Sequence, residues 1–142
     1  MTKVMFEDVE IGGGPEAVTQ VVTPRQLVQY AAVSQDFTPI HYNTDYARSA
    51  GHDDIIIHGA LKTALLSQML VDWAGDVGAV KKLETSYRGI DYAGAVTCAG
   101  TVTGKRVEDG IGLVDLDIEF RNADGVVTTP GKATVALTMR GK

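Results

Sequence analysis

The chain has 142 residues, 44% hydrophobic and 22% charged, with a formal charge of −5 and a single cysteine. This length predicts one domain spanning residues 1–142, large enough to bury about two thirds of its unfolded surface. Composition excludes a membrane-spanning helix, which needs roughly 18 uninterrupted apolar residues, and the acidic balance without a basic stripe excludes general nucleic-acid binding.

From the N-terminus, Met1 to Asp8 carries neither the basic nor the apolar block of a secretory leader, so a cytoplasmic location is expected. Asp8 to Pro15 contains Gly12-Gly13-Gly14 and reads as a loop. It is no phosphate loop, because Lys-Ser or Lys-Thr does not follow. Glu16 to Val22 alternates as a short strand. Thr23, Pro24 and Gln26 supply a hydroxyl cap, a first-position proline and a capping glutamine, and predict a helix from Pro24 to Val33 with Leu27, Tyr30 and Ala31 on one face. Asn43 or Thr44 can cap a short helix through Ala47 and Ser49, with Gly51 as its left-handed terminator. The longest helix is expected from Gly59 to Trp73 or Ala74, before Gly75. Apolar side chains from Ala60 to Trp73 cover most of its circumference, which predicts a central helix wrapped by other structure.

From Ala79 onward the period changes to two. Strands are expected over Ala79 to Arg88, Ala95 to Val107, Gly112 to Asn122 and Val126 to Arg140. The clearest of them puts Val114, Leu116, Ile118 and Phe120 on one face and charges on the other. Cys98 falls within a strand, where a buried inert thiol is expected; a lone cysteine permits neither an intrachain disulfide nor a thiolate metal cluster. Asp109-Gly110 and Asp124-Gly125 are hairpin pairs or the ends of longer loops. A buried helix with successive hairpins makes an α+β arrangement, and at this size it fits a hot-dog fold, an antiparallel sheet wrapped around a long central helix.

The residues that carry chemistry precede the long helix. Ser34-Gln35-Asp36-Phe37-Thr38-Pro39-Ile40-His41 offers a carboxylate and an imidazole. Pro39 removes a donor and biases Thr38 away from the helical region, so Asp36 and His41 are expected to converge across a loop. Ile57-His58-Gly59-Ala60-Leu61 adds a helix tip whose first amides are unpaired and whose dipole favours negative charge. A carboxylate, an imidazole and an amide donor suffice to move a proton beside a polarised carbonyl. Taken singly, Asp36 reads as a turn carboxylate and His41 as a polar residue packed near proline; both motifs in one chain favour catalysis. His58 is expected to hold the loop or the helix start by a hydrogen bond rather than to react. A metal reading of Asp36, His41, His52, Asp53, Asp54 and His58 matches neither a His-Glu-x-x-His helix nor a zinc-ribbon spacing, so neither metal nor cofactor is expected.

These segments resemble the MaoC-like family of (R)-specific enoyl-thioester hydratases, in which a Ser-Gly-Asp-x-Asn-Pro-Ile-His loop precedes an Ala-His-Gly-Met-Leu helix start. Asp36, Pro39, Ile40, His41, His58, Gly59 and Leu61 match, while Gln35 replaces the usual glycine, Thr38 the asparagine and Ala60 the methionine. Val71 to Asp76 and the strand-rich tail look like actinobacterial members of the family, some of them subunits of mycolic-acid dehydratases and steroid side-chain hydratases. The resemblance implies a hot-dog domain that forms a homodimer or higher oligomer, or pairs with a related chain. It also implies reversible hydration of trans-2-enoyl thioesters of coenzyme A or acyl carrier protein to (3R)-3-hydroxyacyl thioesters. Asp36 and His41 would then be the acid/base pair around the reacting water, and the Gly59 N–H would point at the thioester oxygen.

Ser67 takes the position of a serine that some hydratases place near the active site, although a hydroxyl bonded to its own helix is the plainer reading. Two other functions stay open. A hot-dog thioesterase would use a carboxylate to attack, or activate water against, the thioester carbonyl; a non-catalytic acyl-binding subunit would depend on a partner chain for turnover. Lys81, Lys82, Arg88, Lys105 and Arg106 can meet coenzyme A phosphates, with solvated strand-end charges as the commoner explanation.

Overall fold

The computed structural model describes residues 3–141. Strand β1 (Val18–Val22) leads into helix α1 (Pro24–Ser34), a loop with one 3-10 turn, the short helix α2 (Thr44–Ser49) and the long helix α3 (Gly59–Ala74). Strands β2 (Val80–Thr85), β3 (Gly94–Glu108), β4 (Ile111–Arg121) and β5 (Val127–Leu137) follow. The five strands pair antiparallel, in the order β1-β3-β4-β5-β2, so β1 and β2 are the edges of the sheet. This is the expected α+β arrangement.

Local chemistry explains the element ends. The Thr23 hydroxyl accepts from the Gln26 N–H at 3.2 Å, and Asn43 rather than Thr44 caps α2 by accepting from the Tyr46 N–H at 3.0 Å. Gly51 has φ 93° just beyond α2, and Gly75 takes the left-handed cap of α3 at φ 69°, where a side chain would be strained. Asp109 and Gly110 both have positive φ, the requirement of a tight hairpin whose twist suits the flanking strands. Asp124-Gly125 instead closes a longer loop. The Asn122 carboxamide oxygen accepts from the Asp124 and Val126 amides, each at 3.0 Å, and organises the turn one residue earlier.

Three strands are shorter than the sequence pattern suggests, β1 beginning at Val18 rather than Glu16. β2 stops at Thr85 because the facing chain carries Pro130, whose carbonyl accepts from the Ser86 N–H at 2.9 Å but which has no amide to return. β5 stops at Leu137, and the next carbonyl, that of Thr138, accepts instead from the Phe6 N–H at 2.9 Å. β4 follows its alternation closely: Val114, Leu116, Ile118 and Phe120 are buried and meet α3, whose Leu66, Met69 and Leu70 fill the same core.

The long helix departs from expectation in two ways. Its Ala60, Ala64, Gln68 and Asp72 form an exposed stripe, so the sheet wraps one side rather than the whole circumference. Lys62, by contrast, is buried inside the first turn, because it has a buried anionic partner in Asp91. Among the described residues no helix is long and apolar enough to cross a membrane.

Candidate active site

Helix α1 delivers the chain to the site through a forced turn. Gln35, at its C-terminus, is held in the left-handed region at φ 61° and ψ 18°, and its Nε2 donates to the Ala32 carbonyl at 2.6 Å. Asp36 follows. The Thr38 hydroxyl and amide both donate to its Oδ1, at 2.6 and 3.2 Å, and these bonds hold the carboxyl below its ordinary range. Pro39–His41 then forms a 3-10 turn that swings the imidazole back under the carboxylate. Oδ2, the oxygen that Thr38 leaves free, faces His41 Nε2 at 3.4 Å.

His41 is buried, and its Nδ1 lies 2.8 Å from the Ile56 carbonyl. A carbonyl can only accept, so Nδ1 carries the hydrogen and Nε2 presents a lone pair toward Asp36 in the neutral ring. His58 stacks on His41 with centroids 3.6 Å apart and planes 16° off parallel, while Tyr30 meets it edge-on at 5.0 Å. By the same reasoning His58 Nε2 donates to the Asp36 carbonyl, at 3.2 Å. Its Nδ1 is buried without a hydrogen-bond partner among the described residues. A proton there would be poorly solvated, and burial pushes the His58 imidazole below its ordinary value.

Gly59 is the first residue of α3 and adjoins His58, so its amide belongs to the unpaired first turn at the same place. A Cβ at Gly59 would lie 3.0 to 3.1 Å from the ring of Tyr87. Glycine lets that ring lie against the helix tip, where the Tyr87 hydroxyl is 2.7 Å from Thr63 Oγ1. The fold therefore brings Asp36, His41, His58 and the helix tip at Gly59 into one cluster.

Ligand atoms of Asp36, His41 and His58 lie within 4.8 Å of one another. The face-to-face stacking of the two imidazoles confines their in-plane lone pairs to two nearly parallel planes rather than aiming them onto one point, and one nitrogen of each ring already bonds a carbonyl. This donor set suits proton transfer better than tetrahedral ligation. His52, Asp53 and Asp54 fall outside the cluster; Asp54, for instance, accepts from the Ile55 amide at 2.7 Å.

Four contributors to the site receive no assignment from the sequence. Thr38 appears only as a departure from a pattern, yet its hydroxyl tunes Asp36. Tyr30 shares the buried face of an amphipathic helix, which hides its contact with His58. The Ile56 carbonyl acts through the backbone, which carries no residue-type signal, and Tyr87 is an aromatic that could line an acyl tunnel but that core packing explains equally well, its place set by tertiary contact. Of the basic residues, Lys105 is taken up by the fold: its Nζ donates to the Phe6 and Val9 carbonyls, each at 2.8 Å. Arg106 pairs with Glu108 and Asp115, whereas Arg88 is exposed one residue from Tyr87. Cys98 is buried, and burial pushes its thiol up to about 12. A concavity of about 510 Å³ on the polar side of β2, β4 and β5, lined by Glu84, Arg88, Asp117 and Lys132 among others, contains none of the clustered groups.

Residues 7–119 match the family model of the MaoC like domain. The chain is 33% identical over 118 residues to the beta subunit of 3-oxo-4,17-pregnadiene-20-carboxyl-CoA hydratase of Mycobacterium tuberculosis, covering 82% of this chain and 86% of that protein. It is 26% identical over 139 residues to an (R)-specific enoyl-CoA hydratase of Rhodospirillum rubrum, covering 96% and 93% of the two chains. The R-hydratase PhaJ1 of Pseudomonas aeruginosa superimposes with a TM-score of 0.87 at 21% identity, over 97% of this chain and 88% of that one. The fold is the hot-dog fold of these hydratases.

Proposed function

The chain belongs to the MaoC-like domain family, and we propose on that premise that it reversibly hydrates trans-2-enoyl thioesters to (3R)-3-hydroxyacyl thioesters, as a hydro-lyase acting in one domain over residues 1–142. The observation that carries this reading is the pairing of Asp36 Oδ2 with His41 Nε2, 3.4 Å apart, beside the tip of α3.

Two acceptors facing each other suit a molecule with two O–H donors. Water beside the pair donates to both. His41 Nε2 removes one proton as the water oxygen bonds to C3 of the substrate. The C2=C3 π electrons move toward the thioester oxygen, where the Gly59 N–H and the positive end of the helix receive the charge. Asp36 stays ionised and stabilises the imidazolium formed. That imidazolium then protonates C2, so one H and one OH have added and the pair is restored. Dehydration runs the same steps backward. Stacked His58 fixes the His41 ring from one side, and its bond to the Asp36 carbonyl fixes the loop from the other.

Exposed Phe37, Tyr42, Tyr87, Ile90 and Tyr92 lie in the segments that bound the cluster and favour an apolar acyl group. Exposed Arg88 is the cation best placed for a coenzyme A phosphate. The free sheet edges at β1 and β2, and the relation to a hydratase beta subunit, favour work as a dimer, with a second copy or a related chain. A cytoplasmic site of action belongs to the same reading.

Crotonyl-CoA offered to the purified chain should lose its enone absorbance without releasing thiol, and Asp36→Asn or His41→Gln should each lower kcat by about 10²- to 10⁴-fold. Thiol release would identify a thioesterase. Wild-type rates in either variant would remove this mechanism.

A further inference from the structure

Lys62 and Asp91 form an ion pair of 2.7 Å whose side chains are 3% and 1% exposed. Lys62 Nζ also donates to the Gly89 carbonyl at 3.0 Å, and the Thr128 hydroxyl donates to the same Asp91 oxygen at 2.6 Å. The other carboxylate oxygen, Oδ1, is buried without a hydrogen-bond partner among the described residues. A buried pair with one orphaned oxygen is a poor device for stability alone, because the desolvation of two ions is incompletely offset, and apolar side chains of similar volume would do as well. Its connections suggest a different use.

The Asp91 backbone carbonyl accepts from the Ile57 N–H at 2.7 Å, Ile56 and Tyr92 form a bridge, and the Ala93 N–H donates to the Ile55 carbonyl at 3.3 Å. Residues 91–93 thus clamp residues 55–57. The clamped segment contains the Ile56 carbonyl, which bonds His41 Nδ1, and runs directly into His58 and Gly59. Lys62 stands in the first turn of the helix that Gly59 opens. One ion pair therefore ties the helix tip to the strand segment that sets the tautomer and tilt of His41.

We propose that Lys62 and Asp91, with Thr128, are positioning residues: the buried pair fixes the His41 imidazole relative to the Gly59 amide. Neither side chain touches the reacting atoms. The inference rests on the hydratase reading for its kinetic consequence but not for its structural one.

The test uses the whole chain as Lys62→Met, as Asp91→Asn, and as the double variant Lys62→Met/Asp91→Leu, which removes both charges and leaves packed side chains in case a lone buried ion prevents folding. Two readouts are taken on each folded variant. Turnover of crotonyl-CoA should show kcat lowered about 10- to 100-fold with KM within about threefold, the signature of misplaced catalytic groups with substrate binding intact. The His41 Nδ1–H resonance, assigned by its loss in His41→Gln, should broaden or exchange at least about tenfold faster as the Ile56 bond loosens. Thr128→Val, which removes the hydroxyl, should move both readouts in the same direction, and Thr128→Ser, which keeps it, should rescue them; an unmoved Thr128→Val would take Thr128 out of the proposal.

A folded double variant with wild-type kcat, or with an unchanged His41 resonance, overturns the proposal and leaves the pair a packing feature. Should the wild-type chain show no hydration at all, the hydratase reading fails on its own, and the resonance alone then decides the positioning role.

Discussion

The sheet and the catalytic loop are built on opposite principles. In β3, β4 and β5 the buried side chains, Thr128 and Thr129 apart, are apolar and packed among others of their kind, and the loss of one leaves the rest in register. Between Asp36 and Gly59 the geometry depends on polar bonds with single partners: Thr38 on one carboxylate oxygen, Ile56 on one ring nitrogen, the Asp36 carbonyl on another. The sheet stores most of the stability and tolerates imprecision, while the loop contributes little stability and has no redundancy. Damage to the two regions should therefore separate into loss of folding and loss of rate.

The largest effect on folding belongs to the sheet. Leu116 is fully buried between Val102 and Ala133 on the neighbouring strands, and Leu116→Ala should cost about 3 kcal/mol through lost burial and an unfilled cavity. Urea melts would measure it. The folded fraction should keep wild-type kcat, and a large fall in kcat per folded molecule would break the division between the two regions.

Thr38→Val makes the opposite cut, with melting nearly unchanged and kcat lowered about three- to tenfold through loss of one charge-assisted hydrogen bond. The sign of its pH effect follows from Asp36. Thr38 holds that carboxyl below its ordinary value of 3.8. Without the hydroxyl the carboxyl takes up its proton at higher pH, so the acid fall in kcat/KM should begin earlier on descent from neutrality. Thr38→Ser should restore the wild-type profile, and an unmoved acid limb in Thr38→Val would show that Asp36 is not tuned this way.

His58 offers a smaller and purely thermodynamic test, because its imidazole is depressed below 6.5 in the folded chain. Between the folded and unfolded values the unfolded chain binds more protons, so stability falls as pH drops through 6.5 and levels once the folded value is passed. Thermal melts should show this loss in wild type and less of it in His58→Gln, whose amide can still donate to the Asp36 carbonyl. Identical pH dependence in the two proteins would place the acid sensitivity elsewhere.

What sequence makes legible divides along the same line. Alternation in β4 and the near-continuous apolar face of α3 are repeated signals, each reinforced by many residues, and the sheet and helix can be read from them. Asp36 and His41 stand out because their residue types carry chemistry and Pro39 forces a turn between them. The exposed stripe of α3 and the burial of Lys62 are hidden, since one depends on how far the sheet curls and the other on a counterion 29 residues away. The Ile56 carbonyl is invisible in principle, because every residue has one. Residue type announces reactive groups; the groups that aim them are announced only by three-dimensional contact.

The finest distinction concerns Gln35, where the loop holds a long side chain in the left-handed region; its counterpart in the sheet is Asp109 of the β3–β4 hairpin, a residue type that tolerates that region. Its left-handed backbone, at φ 61°, suits the glycine that the related loop motif places there. Gln35→Gly relieves about 1 to 2 kcal/mol of steric strain and loses a side-chain bond to the Ala32 carbonyl worth about 1 kcal/mol, so a net gain of about 0.5 kcal/mol is expected from these principles. kcat should hold, because the turn that Gln35 makes is the turn glycine prefers, and Asp36 keeps its Thr38 and His58 bonds. A Gln35→Ala variant removes the bond without relieving the strain and should be less stable than either. If it matches Gln35→Gly in denaturant melts, the left-handed turn carries no strain, and the side-chain bond alone accounts for Gln35.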